Sequence, residues 1–200
     1  MKKKIEKCQT FLNIGALNCQ GLRDKIDYPE VADLISTCDI FGVSESWLGE
    51  NDKNCINVDN YTFYPLNRKK KKGEKGRPRG GIGIFVKNEL QDVVKIRYDL
   101  SDENIIWCKI NKTGFGYRDD VYIGFVYFPP ESCSKKNENH FKKLEEITSR
   151  INSEHIITIG DYNARTKNLD DVLRGEKMKI NTMLIFSHKL IQKEQIKIIL

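Results

Sequence analysis

The sequence predicts an α/β fold built on a largely antiparallel or mixed sheet. Short runs of apolar and β-branched residues predict strands, and a few stretches carry apolar residues at helical spacing. Strands and helices follow one another in a mixed order, which favours a mixed sheet over a purely parallel one. No internal repeat or long linker divides the 200 residues, so the length indicates a single domain.

The expected elements are defined by these patterns. Nine apolar runs predict strands, at 11–18, 40–45, 61–65, 83–86, 93–98, 105–110, 121–128, 156–159 and 196–200. The run at 121–128 is the strongest, and Pro129 and Pro130 stop it. Helical spacing predicts three helices, at 28–37, 137–151 and 183–194. Asp27 is the candidate cap of the first helix, and Pro29 stands at an early helical position.

The composition excludes several classes of protein. Hydrophobic residues make up 39% of the chain and aromatic residues 10%, enough for a core, which argues against a disordered or collagen-like chain. No run approaches the roughly 20 apolar residues of a membrane helix. The six cysteines form no C-x-x-C pair. They indicate reduced, buried thiols of an intracellular protein, and not a disulfide framework or a zinc site.

The basic residues are concentrated in one short segment. The formal net charge is +6, and residues 68–79 hold eight basic side chains and one acidic side chain. The basic side chains of this run are Arg68, Lys69, Lys70, Lys71, Lys72, Lys75, Arg77 and Arg79. Such a run is either a solvated loop or a flexible arm that neutralises phosphates without reading sequence.

Polar side chains stand at the ends of three predicted strands. Glu45 follows the apolar run at 40–44, Asp161 follows the run at 156–160, and Asn18 closes the first strand. Asn163 comes two residues after Asp161. A single carboxylate at such a place is more often a cap or a surface charge. Four oxygen-bearing side chains that converge would suit Mg²⁺, which prefers carboxylates, water and substrate phosphate as ligands.

Five motifs together resemble the endonuclease/exonuclease/phosphatase superfamily, both in their order and in their separations along the chain. They lie at 18–22 (NCQGL), 39–48 (DIFGVSESWL), 80–86 (GGIGIFV), 127–130 (YFPP) and 160–164 (GDYNA). The nearest resemblance is to the apurinic-endonuclease-like endonuclease domain of non-LTR retrotransposons, over residues 11–172. The resemblance implies a four-layer α/β/β/α sandwich, two stacked mixed sheets flanked by helices, with the active site at one end.

The resemblance also implies a role for each strand-end residue. Glu45 would be the main ligand of Mg²⁺ (or Mn²⁺), with Asn18 beside it. Tyr127 would bind the scissile phosphate. Asp161 would transfer protons to or from the reacting oxygens, and Asn163 would orient the phosphate or the nucleophile. The metal would neutralise charge on the phosphoryl oxygens.

The implied partner is DNA, and no membrane is expected. The basic run at 68–79 would grip phosphates that flank the cleaved bond. In the parent element, a reverse transcriptase would accompany such a domain. The chain is expected to be a monomer, and an intracellular, nuclear location follows from the resemblance alone.

One part of the family's machinery is not recognisable in this sequence. The family activates its water with an Asp–His pair, whose histidine arrives in a C-terminal Ser-Asp-His motif. Ser187-His188 lacks the aspartate between and follows Asp161 too closely. His140 and His155 precede Asp161 and are expected at the surface near helix ends. We therefore expect residues 1–200 to be one domain that is incomplete at its C-terminus, with the last strands missing and activity weak or absent.

Three alternatives to a working nuclease remain open. The basic run without the Asp–His pair would also suit a non-catalytic, nucleic-acid-binding remnant. A phosphodiesterase of the same superfamily that acts on a phospholipid or inositol phosphate is disfavoured, because the sequence has no obvious apolar loop for membrane docking. A degenerate reading frame without a cellular role is the fourth reading.

Overall fold

The fold was determined as a computed structural model. It describes residues 12–49, 52, 55–68, 76, 79–129, 140–153 and 155–163, with the backbone of 185–186 and 196–199. Within these ranges the chain forms two five-stranded sheets stacked face to face, with a helix packed on the outer side of each. The described helices are all too short or too polar to cross a membrane.

The elements are numbered in chain order. The strands are β1 (Leu12–Asn18), β2 (Ile40–Ser44), β3 (Tyr61–Leu66), β4 (Ile82–Lys87), β5 (Val94–Ile96), β6 (Ile105–Ile110), β7 (Val121–Tyr127), β8 (Ile156–Asp161), β9 (Ile185–Phe186) and β10 (Ile196–Ile199). The helices are α1 (Pro29–Ser36), α2 (Lys112–Phe115) and α3 (His140–Arg150). All nine predicted strands are therefore present, with ends that differ by a few residues.

Both sheets are mixed, as the sequence predicts. The first sheet has the order β10-β1-β2-β4-β3, in which β10, β1 and β2 are parallel and β4 and β3 are antiparallel to their neighbours. The second sheet has the order β5-β6-β7-β8-β9, and only β7 and β8 pair in parallel. Parallel pairing places the carboxyl ends of β1 and β2 side by side, and likewise those of β7 and β8.

Three apolar clusters separate the four layers. The inner faces of the two sheets enclose the largest cluster, to which alternate residues of each strand contribute. On the outer face of the first sheet, Ile35 of α1 packs against Phe41 and Phe85. On the outer face of the second sheet, Leu144 and Ile147 of α3 pack against strand residues. The predicted four-layer sandwich is thus confirmed.

Three details of the sequence prediction are wrong. Residues 185–186 form β9, which pairs antiparallel with β8, and do not belong to a helix. A short apolar run does not distinguish strand from helix by itself, and here pairing with the edge of β8 decides. The N-cap of α1 is Tyr28, which makes no side-chain capping bond, so Asp27 is not the cap. Cys55 is exposed, whereas the other described cysteines are buried free thiols as expected.

Asp39, at the start of β2, ties the first sheet together at one end. Its side chain is fully buried. One carboxylate oxygen accepts from the Asn13 backbone N–H at 2.8 Å, and the other accepts from Lys87 Nζ at 2.8 Å. The Asp39 backbone also bonds to Asn13 and to Lys87. This residue therefore fixes β1 and β4 on either side of β2 at the end where β2 begins.

Replacement of Asp39 by alanine should strongly destabilise the fold. The change leaves the Asn13 N–H and the partly buried Lys87 ammonium without their carboxylate, at a cost of about 3 kcal/mol in the free energy of unfolding. Urea denaturation followed by circular dichroism measures this cost. The control is Asp99→Ala, which removes the ion pair between Asp99 and Arg97. The Asp99 side chain is 61% exposed, so this change should cost less than about 1 kcal/mol. Equal losses would contradict the role of Asp39.

Candidate active site

The amide of Asn18 joins two carboxylates that come from different sheets. Asn18 Nδ2 donates to Glu45 Oε1 at 3.0 Å and to Asp161 Oδ2 at 2.8 Å. Asn18 ends β1, Glu45 directly follows β2, and Asp161 ends β8. Three of the residues predicted for the site are therefore brought into contact at one end of the sandwich.

The alternation of side chains along the strands explains two of these placements. Leu12 and Ile14 of β1 face the inner core, and Asn18 has the same parity. In β8, Ile157 and Ile159 face the inner core, and Asp161 continues their series. Asn18 and Asp161 therefore close the inner core at its rim, with one contributed by each sheet.

Glu45 reaches the same rim by a different route. Strict alternation would place it with Phe41 and Val43, which pack in the cluster beneath α1. The strand ends at Ser44 instead, and Glu45 adopts a left-handed backbone conformation with a φ of +51°. That conformation is uncommon for a residue with a side chain and marks local strain. The Glu45 carbonyl accepts from the Gly21 N–H at 2.8 Å, which helps to hold the turn.

Gly160 allows β8 to approach β7 closely just before Asp161. Its φ is +145°, and a Cβ at this position would lie 2.1 Å from the carbonyl oxygen of Val126. Only glycine fits there without displacing a strand. Asp161 then stands opposite Tyr127 in the β7–β8 register, and its carbonyl accepts from the Phe128 N–H at 2.9 Å.

Asn163 and Tyr127 flank Asp161. The Asn163 N–H donates to Asp161 Oδ1 at 3.0 Å, and Asn163 Nδ2 donates to the Phe128 carbonyl at 2.8 Å. The Asn163 side chain also interacts with the Asp161 carboxyl. Tyr127 is half-buried and packs against the inner core. All five predicted site residues thus lie at the same end of the sandwich.

The pKa of the Asp161 carboxyl is raised above its ordinary value. Burial is the largest cause, and the nearby Glu45 charge adds to it. The hydrogen bonds from Asn18 and from the Asn163 N–H act in the opposite direction, because they favour the ionised form. A carboxyl with a raised pKa is better matched to accept or donate a proton near neutral pH than an ordinary aspartate is.

The donor set at this rim fits a hard divalent cation. Glu45 and Asp161 place two carboxylates around one amide, and oxygen ligands of this kind suit Mg²⁺ or Mn²⁺. No cluster of three or more His, Cys, Asp or Glu side chains with metal-binding geometry occurs in the described part of the chain. Asn18 directs its nitrogen to the carboxylates, so it would bind a cation through Oδ1 only after its amide turns by half a revolution.

The basic run lies between β3 and β4 and begins and ends at the same rim. Leu66, the last residue of β3, pairs with Ile82, the first of β4, and Ile82 also pairs with Ser44 beside Glu45. Of the basic side chains, half-buried Arg68 and exposed Arg79 are described. Lys69, Lys70, Lys71, Lys72, Lys75 and Arg77 lie outside the described residues.

Neither described histidine serves this site. His140 begins α3, and its ring stacks on Phe128 with centroids 4.9 Å apart. His155 lies just before β8, at the opposite end of that strand from Asp161, and its Nε2 is 3.7 Å from Asp119 Oδ2. His140 thus lies at a helix end as expected, whereas His155 lies directly before a strand, and both side chains are half-buried. His188 lies outside the described residues.

Sequence reasoning did not assign a role to Ser46, Gly80 or Gly81. The Ser46 N–H donates to the Gly81 carbonyl at 3.1 Å, and the Trp47 N–H donates to the Gly80 carbonyl at 2.9 Å. These bonds fix the turn at Glu45 to the start of β4. The adjacent glycines were the available signal, because a Gly-Gly pair before a strand marks a backbone with special conformation.

Comparison with known proteins identifies a family. The sequence model described as "Endonuclease/Exonuclease/phosphatase family" matches residues 12–177. The match spans every residue of the site. A search of curated proteins found no match.

Several solved structures are similar to this chain. The endonuclease domain of TRAS1, a telomere-specific non-LTR retrotransposon, is 19% identical over 76% of this chain and 58% of that one, with a TM-score of 0.49. The AP endonuclease LMAP from Leishmania major is 16% identical over 82% and 58%, with a TM-score of 0.55. The catalytic domain of APE2 from Xenopus laevis is 14% identical over 82% and 62%, with a TM-score of 0.52. The chain thus spans 58% of the length of the first two structures, and the likeness to the LMAP and APE2 structures confirms the fold.

The pKa of Asp161 should move in opposite directions in two variants. Asn18→Ala removes a hydrogen bond that lowers the pKa, so the pKa should rise further. Glu45→Gln removes a repulsive charge that raises the pKa, so the pKa should fall. Titration of side-chain carboxyl ¹³C shifts by NMR measures both changes.

An internal control comes from Asp120, at the other end of the second sheet. Its pKa is lowered by hydrogen bonds from the Lys112 N–H and from Lys109, and it should not change in either variant. Shifts of the Asp161 pKa in the same direction in both variants would contradict the described geometry.

Proposed function

The chain belongs to the endonuclease/exonuclease/phosphatase family, and from that premise we propose that it is a metal-dependent phosphodiester hydrolase that nicks DNA. The observation that carries the proposal is the contact between Asn18, Glu45 and Asp161 at the carboxyl ends of strands from both sheets. Carboxylates gathered in this way, beside a half-buried tyrosine and a second asparagine, suit a phosphate ester together with a divalent cation.

The residues divide the chemistry by their environments. Glu45 and Asn18 would hold the cation, which when bound supplies positive charge to the phosphoryl and leaving oxygens. Asp161 would exchange a proton with a reacting oxygen, which its raised pKa favours. The Asn163 amide and the Tyr127 hydroxyl would donate to the phosphate oxygens as charge develops there.

The basic run supports DNA as the substrate. The strands on either side of it end and begin at the rim that carries Glu45, and we propose that its cations contact phosphates on either side of the cleaved bond. Contacts of this kind position a duplex without reading its sequence. A parent element of the non-LTR retrotransposon type is proposed from the five motifs; a partner reverse transcriptase, a nuclear location and a monomeric state stay predictions of the resemblance.

A second candidate is a DNA-binding domain with little or no catalysis. The observation that favours it is that no Asp–His pair lies at the rim among the described residues, since His140 stacks on Phe128 and the His155–Asp119 pair lies at the opposite end of β8. General-base assistance is typically worth about 10²–10⁴-fold in rate. Without the water-activating pair that the family uses, DNA would bind at the rim and be cleaved slowly or not at all.

Nicking of supercoiled plasmid in Mg²⁺ separates the two candidates. The parent chain should convert supercoiled to open-circular DNA, and the isosteric variants Glu45→Gln and Asp161→Asn should each lose at least about 100-fold in rate, because each removes a charge on which the chemistry depends. EDTA should abolish nicking.

The matched control for these variants is Asp92→Asn. Asp92 is exposed and follows β4 at the opposite end of the first sheet, so this variant should nick at the parent rate. Nicking by Glu45→Gln at the parent rate would refute the site. DNA binding without nicking by a folded parent chain would establish the second candidate.

The basic run should contribute a salt-dependent part of DNA affinity. The slope of log K against log salt is negative, and each phosphate contact contributes roughly 0.9 to its magnitude, so loss of two contacts makes the slope shallower by about 2. We therefore expect this reduction for Lys70→Ala combined with Lys71→Ala. Fluorescence anisotropy with a labelled duplex at several salt concentrations measures the slope.

The charge-matched control is Lys95→Ala combined with Lys112→Ala. Both lysines are exposed and lie towards the opposite end of the second sheet. This variant has the same net charge as the test variant, so it should keep the parent slope if contact with DNA is confined to the rim. Equal slopes in the two double variants would show that the basic run acts only through the net charge of the chain.

A further inference from the structure

The turn that carries Glu45 is held between two neighbouring segments. On one side, the carbonyls of Gly80 and Gly81 accept from the N–H groups of Trp47 and Ser46. On the other side, the Glu45 and Ser46 carbonyls accept from the N–H groups of residues 21 and 22, at 2.8 and 3.0 Å. Glu45 itself has no regular strand partner, because β2 ends at Ser44. Its position therefore depends on these flanking contacts.

The contact between Gly81 and Ser46 is the tightest part of this arrangement. A Cβ on Gly81 would lie 2.6 Å from Ser46 Oγ, and Gly81 has a φ of +85°. Ser46 is 1% exposed, so its hydroxyl cannot turn out into solvent to make room. That hydroxyl has no hydrogen-bond partner among the described residues, so polar bonding does not explain its burial.

We propose that Gly81 is a positioning residue: because it has no Cβ, Ser46 keeps its place, and the neighbouring Glu45 carboxylate stays aimed at the cation. Glu45 and Ser46 are adjacent, so a displacement of Ser46 moves the backbone that aims the carboxylate. Changes in residues that orient a metal ligand typically weaken metal binding by about 10–100-fold. The inference rests on the proposed function in so far as Glu45 binds a divalent cation.

The test is the affinity for Mn²⁺ alone, measured by electron paramagnetic resonance titration of the folded chain. Gly81→Ala should weaken Mn²⁺ binding by about 10-fold or more. The double variant Ser46→Ala, Gly81→Ala should recover most of the affinity, because the atom that the new Cβ meets is gone. Ser46→Ala alone should bind Mn²⁺ within about twofold of the parent, well short of the loss expected for a misaimed ligand.

Gly116→Ala provides the backbone control. Gly116 has a φ of +70° with no atom within 4 Å of its would-be Cβ, and it follows α2, away from the rim. This variant carries a comparable backbone strain without the steric contact, so its Mn²⁺ affinity should equal that of the parent. Circular dichroism confirms that each sample is folded.

If Gly81→Ala does not fold, Ser46→Thr decides the question. It enlarges the same contact from the other side without straining residue 81, and should weaken Mn²⁺ binding in the same direction. Parent affinity in folded Gly81→Ala, or in Ser46→Thr where Gly81→Ala is unfolded, would overturn the inference while leaving the proposed function intact. A parent chain that binds no Mn²⁺, or binds it equally well as Glu45→Ala, would overturn the metal assignment of the proposed function and this inference with it.

Discussion

The double hydrogen bond of Asn18 is the interaction on which the site depends. One amide nitrogen donates to a carboxylate from each sheet, so the two sheets must stack with β1, β2 and β8 ending at the same level. Burial raises the pKa of the Asp161 carboxyl, and the repulsion between two carboxylates held this close raises it further. The amide offsets part of that repulsion, and a bound cation would offset more.

The buried Asp39 and the candidate active site lie at opposite ends of the first sheet. At one end Asp39 is buried with its carboxylate bonded to Asn13 and Lys87. At the other end Glu45 accepts from Asn18, which also donates to Asp161 of the second sheet. Strained backbone is concentrated at that second end: of the five non-glycine residues with positive φ among those described, four lie there, namely Gln20, Glu45, Trp47 and Asn163. Such strain persists only where neighbouring structure holds it, and it commonly marks functional sites.

The sequence was sufficient for the parts of the fold that local pattern and strand-end position determine. The ends of the apolar runs placed Asn18 and Asp161 at strand ends, and the structure confirms both positions. Alternation alone would have turned Glu45 towards α1, because only the left-handed turn after Ser44 brings it to the rim. The strand at 185–186 was missed because pairing with β8 is a long-range contact. Ser46 was missed because its burial against Gly81 arises only when β2 and β4 are paired.

A divalent cation is expected at the ends of β1 and β2, held by Glu45 and Asn18 beside Asp161 of the second sheet. Anomalous diffraction at the manganese edge, from crystals of the chain soaked in Mn²⁺, tests it most directly. We expect a strong peak within coordination distance of a Glu45 carboxylate oxygen, with the Asn18 amide turned so that Oδ1 faces the ion. A peak elsewhere on the chain, with the Asn18 nitrogen still bridging Glu45 and Asp161, would contradict it.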